Sequence, residues 1–482
     1  MGWITLMDRK KANFSVAERK VPIRKKITYG GGEFADACVY TVFYTYFLFF
    51  LTDVAHIPPV FAGTISMIGV LWDAFTDPMV GSISDSAQFG SGRRRPFMLF
   101  SAIPLAISIW LLFSVFNLTP TAAGIYYFVM VVIFFSCFTI YFIPYSALAA
   151  EMSQDYDERT SIQSYKGIWI ASGTVIGGGV PMLMVDYLSN VTGSVSSSWS
   201  LMALTMGVVS ALAILISWAG TKGAELRRAE YCEKPPVGKL WARYKVILSN
   251  RPFRYVIGIY LLAIIGNTLY GSTIIYFMTY YMGFDKPTIS MLFAVSLGSG
   301  AIFSPLINIV AQKIGKRNAF IIFMTLFILA VLTLFLVKPG QLGFVVSLSI
   351  FTGVSLIALW VLSWGMISDV IEVDEWQTDQ RREGLHYGFA HFVQKGGAAL
   401  TFAASGSILS AFGYVPEVEQ ATTALFGIRM TCTVFTAIPT LLAVVLCWFH
   451  PMTDRRHRCL REALAARRAG RSYSTAGFEA IL

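Results

Sequence analysis

The chain has 482 residues, 55% of them hydrophobic and only 14% charged, with a formal net charge of +10 and a mean hydropathy of +0.60. A soluble chain of this length carries roughly a quarter charged residues. A nucleic-acid-binding protein gathers its basic residues on one face, whereas here they flank long apolar runs such as 42–51 and 321–337. Runs approaching the roughly 20 residues that cross a bilayer core predict membrane-spanning helices, an all-α fold and no soluble core.

The first 28 residues are polar and basic, with no apolar stretch of the kind a cleavable signal peptide needs. Position 6 is Leu, so Met1–Gly2 carries no myristoylation signal. About twelve spans then follow, near 34–52, 61–83, 97–116, 122–150, 166–188, 199–219, 254–282, 289–311, 319–337, 343–368, 387–412 and 424–449. Basic residues gather in the N-terminal tail and after the second, eighth and tenth spans (Arg93 to Arg95; Lys313, Lys316 and Arg317; Arg381 and Arg382), while the intervening loops hold Lys286 and Lys338. This alternation places both termini in the cytoplasm and predicts a multi-pass protein of the plasma (inner) membrane.

The domain layout expected is a basic tail at 1–28, a six-helix bundle at 29–219, a central cytoplasmic loop at 220–253, a second six-helix bundle at 254–449 and a basic tail at 450–482. The last tail either lies on an anionic leaflet as an amphipathic helix or stays solvated. An internal echo links Thr64-Ile65-Ser66-Met67 to Thr288-Ile289-Ser290-Met291, each followed by a basic turn. Six-helix repeats with a site between them are the architecture of alternating-access transporters. The loop Gly81–Arg95 resembles the cytoplasmic signature of the major facilitator superfamily, with Gly81 allowing close helix approach and Asp85 free to meet a basic residue. Six cysteines (38, 137, 232, 432, 447 and 459) show no paired spacing, which argues against a disulfide framework or a zinc site.

An ionisable side chain inside a span marks a functional site by default. In Trp72-Asp73-Ala74-Phe75-Thr76-Asp77-Pro78 of the second span, Asp73 and Asp77 are four apart and share a helical face. Two such carboxylates repel in low dielectric, so one takes a proton or a cation sits between them. Thr76 adds a hydroxyl, and Pro78 leaves the Ala74 carbonyl without its helical donor. Carboxylate, hydroxyl and carbonyl oxygens suit a hard monovalent cation, sodium if not a proton. The bland reading is a structural pair bonded to neighbouring helices. Lys395 in the eleventh span needs a carboxylate, and the second-span acids are the candidates; snorkelling to the surface is its alternative.

Glu33 and Asp36, at the predicted start of the first span, either face a cavity or cap the helix. Lys166 is a substrate contact or an interfacial anchor, and Arg429 reads as a snorkelling residue. His391 reads as a packed neutral histidine, with a pocket contact as its other role, while Trp360 and Trp364 either stack on a sugar ring or pack against neighbours. Gly173-x-x-x-Gly177 is helix-packing chemistry. No nucleotide-binding loop and no nucleophile–base constellation is present, so ATP drive, an enzymatic role and a bound cofactor are not expected.

These residues resemble the glycoside–pentoside–hexuronide:cation symporters, the melibiose permease-like family of the major facilitator superfamily. The likeness runs from about Tyr29 to Asp454 through WDAFTDP, IPYSAL (143–148), DERT (157–160), NRPFRY (250–255), SDVIEVDEWQTDQRREG (368–384) and QKGG (394–397). It implies a sodium, lithium or proton site at Asp73, Thr76, Asp77 and Thr139, with Lys395 beside it. It also implies that Lys166 and Trp360 line a sugar pocket, joined among the candidates by Asp36, Trp364 and His391. Where melibiose permease holds its sugar with acids in the first and fourth spans, this chain has Asp36-Ala37 and Phe142. A galactoside read by those acids is therefore not expected.

The function expected is cation-coupled symport of a sugar or glycoside by a monomer, with a small molecule, a monovalent cation and the bilayer as partners and no nucleic acid. A lysolipid or other amphiphile symporter of the same fold is the first alternative. A non-transporting membrane receptor is the second.

Overall fold

The computed structural model describes residues 20–87, 89, 93–153, 156–224, 240–380, 382–416, 418–475 and 477–481. The basic residues at 9–19, most of the central loop with Cys232, and Arg381 lie outside them. The described chain is almost wholly helical. Its long helices are α1 (Ile23–Phe49), α2 (Pro59–Ser86), α3 (Arg95–Leu112), α4 (Pro120–Met152), α5 (Tyr156–Thr192) and α6 (Val195–Gly220). After the short α7 (Leu240–Ile247) come α8 (Arg251–Tyr276), α9 (Lys286–Ile314), α10 (Lys316–Leu334), α11 (Leu342–Thr378) and α12 (Glu383–Ala411). The last span is α13 (Thr422–Met430) with α14 (Thr436–Trp448), followed by α15 (Asp454–Arg468) in the tail. Short π segments extend α1 (Phe50–Val54) and α8 (Phe277–Tyr281) and join α13 to α14 (Thr431–Phe435).

Among the described residues, 11 helices are long and apolar enough to cross a membrane. The 29-residue α12 falls outside that set because it carries His386, His391, Gln394 and Lys395 among its apolar residues. The spans begin with a repeated local grammar: a side-chain cap followed within two residues by proline. Thr119 accepts from Ala122 N before Pro120, Asn250 from Phe253 N beside Pro252, and Asp285 from Thr288 N beside Pro287. Proline costs nothing at these first-turn positions, where the missing N–H has no helical acceptor. Large apolar side chains such as Leu336 (75% exposed) and Ile302 (74%) point outward, as a lipid-facing surface requires.

The chain forms two compact units, one from the described residues of Met1–Phe43 and Phe75–Glu230, the other from those of Tyr44–Ala74 and Tyr231–Leu482. In the first unit, α5 lies tight on α1. A Cβ on Gly173 would fall 2.5 Å from Phe34 O, and one on Gly177 2.5 Å from Cys38 O, so the Gly-x-x-x-Gly spacing serves helix packing as expected. Gly81 differs: its Cβ would meet only Ile143 at 3.6 Å, an ordinary contact, so close approach does not explain that glycine. The signature loop is held by charge. Arg94 bonds Asp85 at 2.9 Å and Glu151 at 2.5 Å, and Arg93 also reaches Glu151.

In the second unit, the start of α2 crosses α12 with Gly63 and Gly406 at the contact. Cβ atoms there would lie 2.5 Å from Phe402 O and 2.1 Å from Pro59 O. Lys316 bonds Asp369 at 2.6 Å, supplying from α11 the acid that its own loop lacks. The C-terminal segment packs one side on the protein. His457 meets Glu372 at 2.8 Å, Arg467 meets Asp379 at 2.8 Å, and Arg468 reaches Glu375. Trp376 takes the rings of Tyr473 (5.1 Å) and Phe478 (5.2 Å) edge-on, with Arg467 over its face. Acids at the end of α11 dock the basic tail, an anchorage to protein that neither sequence reading includes. Arg429 is likewise tied to protein, donating to Phe335 O at 2.6 Å with its guanidinium over Tyr281 and Phe335, and does not snorkel.

Candidate cation and substrate sites

Helix α2 runs unbroken through Pro78, so Asp73, Thr76 and Asp77 stand on successive turns of one face. Asp73 is fully buried and Thr76 nearly so, while Asp77 is half-buried. In the second unit the Asp73 carboxylate meets the Lys395 ammonium at 2.7 Å, with side-chain exposures of 1% and 9%. Lys395 therefore does not snorkel: it spends its charge on the acid. In the first unit Thr76 and the buried Thr139 face each other with hydroxyls 3.2 Å apart.

Along α2, Asp73, Thr76 and Asp77 carry oxygens of the kind a hard cation takes, and Pro78 removes the donor for the Ala74 carbonyl. The ammonium of Lys395 already stands on one of those carboxylates. Among the described residues no cluster of three or more His, Cys, Asp or Glu forms a metal site.

Helix α12 also carries His391, one turn before Lys395. His391 lies 4.6 Å from the Trp364 ring, and Trp364 contacts Tyr387 at 5.7 Å and Tyr260 at 5.7 Å. Trp360 joins through Tyr260 at 6.3 Å, and the Tyr260 hydroxyl donates to Gln394 at 3.0 Å. Trp360, Trp364 and His391 thus form one half-exposed aromatic wall, a surface on which a sugar ring can stack. Tyr260, Tyr387 and Gln394 belong to that wall without having been picked out in the sequence.

The other predicted substrate residues gather in the first unit. Lys166 and Glu33 form a buried pair at 2.5 Å, and the ammonium lies 5.7 Å from the Tyr29 ring and 5.8 Å from that of Tyr145. Asp36 is half-buried and within electrostatic reach of Lys166. Two sequence readings change here. Helix α1 begins at Ile23 and α5 at Tyr156, so Glu33 and Lys166 each lie about three turns inside a helix. Glu33 therefore cannot cap α1, and the Lys166 ammonium is held by Glu33. The polar first turns carry no apolar signal, so hydropathy alone started both spans too late. Phe142, where the galactoside symporters have an acid, stacks on Phe138 at 5.7 Å.

Residues 28–454 match the family model for MFS/sugar transport proteins. The chain belongs to that family, the melibiose permease-like group of the major facilitator superfamily. It is 29% identical to an uncharacterized symporter of Synechocystis sp., over 94% of this chain and 98% of the relative. It is 26% identical to the isoprimeverose transporter of Lactiplantibacillus pentosus, over 86% of each. The sodium-dependent lysophosphatidylcholine symporter 1 of Xenopus tropicalis is 25% identical over 86% of this chain and 84% of its own length. Among solved structures, the nucleoside transporter NupG superposes with a TM-score of 0.62 at 14% identity, over 87% of this chain and 98% of that one, a likeness of fold. The protein is a multi-pass membrane transporter of the symporter type, not an enzyme.

Proposed function

We propose that the protein carries a sugar or glycoside across the plasma (inner) membrane together with sodium, lithium or a proton, as a monomer with both termini in the cytoplasm. The observation that carries this reading is the buried Asp73–Lys395 pair. A charge pair held inside a span is costly, and here it lies in the acid-rich turns where the family resemblance puts the cation. Asp73, Thr76, Asp77 and Thr139 are the proposed cation ligands. Lys395 is the internal competitor that the cation displaces. Asp36, Lys166, Trp360, Trp364 and His391 are the proposed sugar contacts, and the two six-helix halves flanking 220–253 are the bodies that rock. The isoprimeverose transporter among the relatives supports a glycoside cargo.

A second reading, a lysolipid or similar amphiphile as cargo, draws on Phe142 in place of the sugar-binding acid and on the lysophosphatidylcholine relative. The test is the thermal stability of purified protein against xylosides, glucuronides, sulfonated sugars and lysophosphatidylcholine, with and without sodium. A ligand selective for the folded state raises the melting temperature in a concentration-dependent way. Stabilisation by one sugar class, enhanced by sodium, is the result expected. Stabilisation by lysophosphatidylcholine alone moves the second reading to first place.

A further inference from the structure

Two of the three π segments of the second unit repeat one another. Phe50-Leu51-Thr52-Asp53 closes the first span, and Phe277-Met278-Thr279-Tyr280 closes the seventh. The turns that follow have the same hydrogen bonds. Ala55 N reaches Phe50 O (2.9 Å) as Met282 N reaches Phe277 O (3.0 Å), and Ile57 N reaches Leu51 O (2.8 Å) as Phe284 N reaches Met278 O (3.0 Å). Each turn holds one left-handed residue, His56 at φ 53° in the first and Gly283 at φ 67° in the second. Asp53 and Tyr280 are equivalent positions of this repeat, and they bond to each other.

Asp53 is buried, with 4% of its surface exposed. Its carboxylate accepts from the Tyr280 hydroxyl, from the Tyr414 hydroxyl at 2.6 Å and from Thr52 Oγ1 at 2.5 Å. Thr52 in turn meets the Tyr276 hydroxyl at 2.8 Å. Tyr414 comes from the loop after α12, and its ring lies edge-on to Tyr276 (5.3 Å) and Tyr280 (5.5 Å). Burial, with the Asp53 carboxylate beside it, pushes the Tyr414 phenol well above its ordinary pKa, so it remains a donor. Three phenols face Asp53, those of Tyr276, Tyr280 and Tyr414, and His56 lies three residues along its own chain. The hairpin carrying Asp53 is also clamped at Gly63 and Gly406.

We propose that Asp53, Tyr280 and Tyr414 form a hydrogen-bonded clasp that fastens the hairpin of the first and second spans to the seventh span and the α12–α13 loop. The transport cycle opens and closes this end of the protein by breaking and remaking the clasp. The inference rests on the transporter reading but on neither the cargo nor the coupling ion. Three charge-assisted bonds on one carboxylate are short-range and directional, so a small separation releases all of them together. π segments frequently mark functional positions because the helical ladder is already widened there. The parts of the clasp come from residues far apart in the chain, which is why it holds separate segments rather than one helix.

The experiment uses the full-length protein in nanodiscs with spin labels on Val60→Cys and Val418→Cys, both exposed, in a background without other cysteines. Pulsed dipolar spectroscopy reads the distance between them. Asp53→Asn is expected to raise the ratio of long to short distances about tenfold, as loss of charge-assisted bonds predicts. Tyr280→Phe and Tyr414→Phe are expected to shift it in the same direction by smaller factors. An unchanged distribution in monodisperse Asp53→Asn overturns the proposal. If Asp53→Asn does not fold, the Tyr280→Phe/Tyr414→Phe double variant keeps the ring packing and decides the matter, an unchanged distribution again overturning it. Because no cargo or cation is added, a failure of the sugar or cation reading leaves this result standing, and the reverse.

Discussion

Replacing Lys395 by methionine removes the ammonium from Asp73 while keeping most of the side-chain volume. At 2.7 Å and an effective dielectric constant of about 20, the pair attracts by about 6 kcal/mol. The desolvation of two buried ions offsets most of that. Removing one partner strands the other, and such changes cost about 3–5 kcal/mol. Lys395→Met is therefore expected to melt well below wild type in choline buffer. A cation that takes the vacated position then restores stability, by about 2.7 kcal/mol at a hundred times its dissociation constant. Its affinity is expected to rise about tenfold over wild type because the internal competitor is gone, a gain of about 1.4 kcal/mol. On the proposed coupling, uptake is expected to lose its cation dependence at the same time, since the proposed cation would no longer have to displace the ammonium. The assay is a melting curve across a sodium titration, repeated from pH 5 to 8 to detect a proton in the same role. A variant with wild-type cation affinity and wild-type melting in choline would refute the competition argument.

Glu33→Gln strands the buried Lys166, and a loss of about 3 kcal/mol is expected in denaturant titration, with transport impaired. Trp360→Ala removes one face of the aromatic wall and is expected to raise the KM for cargo several-fold while leaving the sodium-induced melting shift unchanged. Trp376→Ala unseats the C-terminal segment, so limited proteolysis after α14 is expected to quicken markedly, although the individual surface ion pairs there are each worth about 1 kcal/mol or less. His450 lies beyond the last span, and burial, opposed by its bond to Met452 O and aided by Arg317, pushes its pKa down to about 4. The unfolded chain takes up that proton first, so the stability it represents is present above pH ~6.5 and is lost as pH falls toward 4. His450→Asn is expected to flatten the fall in melting temperature across that window.

The span pattern, the acids of α2 and the lysine of α12 are all legible in the sequence, because a polar residue inside an apolar run stands out against its neighbours. Their partners are not. The α2 acid and Lys395 are more than 300 residues apart, and only the folded unit shows that Asp73 takes the ammonium. Hydropathy does not register the polar turns that open α1 and α5, so it sets Glu33 and Lys166 nearer the helix starts than they lie. Asp53 resembles a loop acid at the end of a run. The signal that betrays it is the repeat of Phe-x-Thr-Asp as Phe-x-Thr-Tyr, which becomes readable once both π turns are seen to share one hydrogen-bond pattern. The docking of the basic tail depends on acids at 372–379 gathered at the C-terminal end of α11, something composition alone does not reveal.

Uptake into proteoliposomes tests the central claim most directly. Radiolabelled xylosides and glucuronides are offered to the wild-type protein and to Asp73→Asn, with an inward sodium or proton gradient or with none. The account predicts that one glycoside accumulates above its external concentration when one of the gradients is imposed, and that Asp73→Asn abolishes that accumulation while remaining folded. Accumulation that needs no cation gradient, or that persists undiminished in Asp73→Asn, would contradict it.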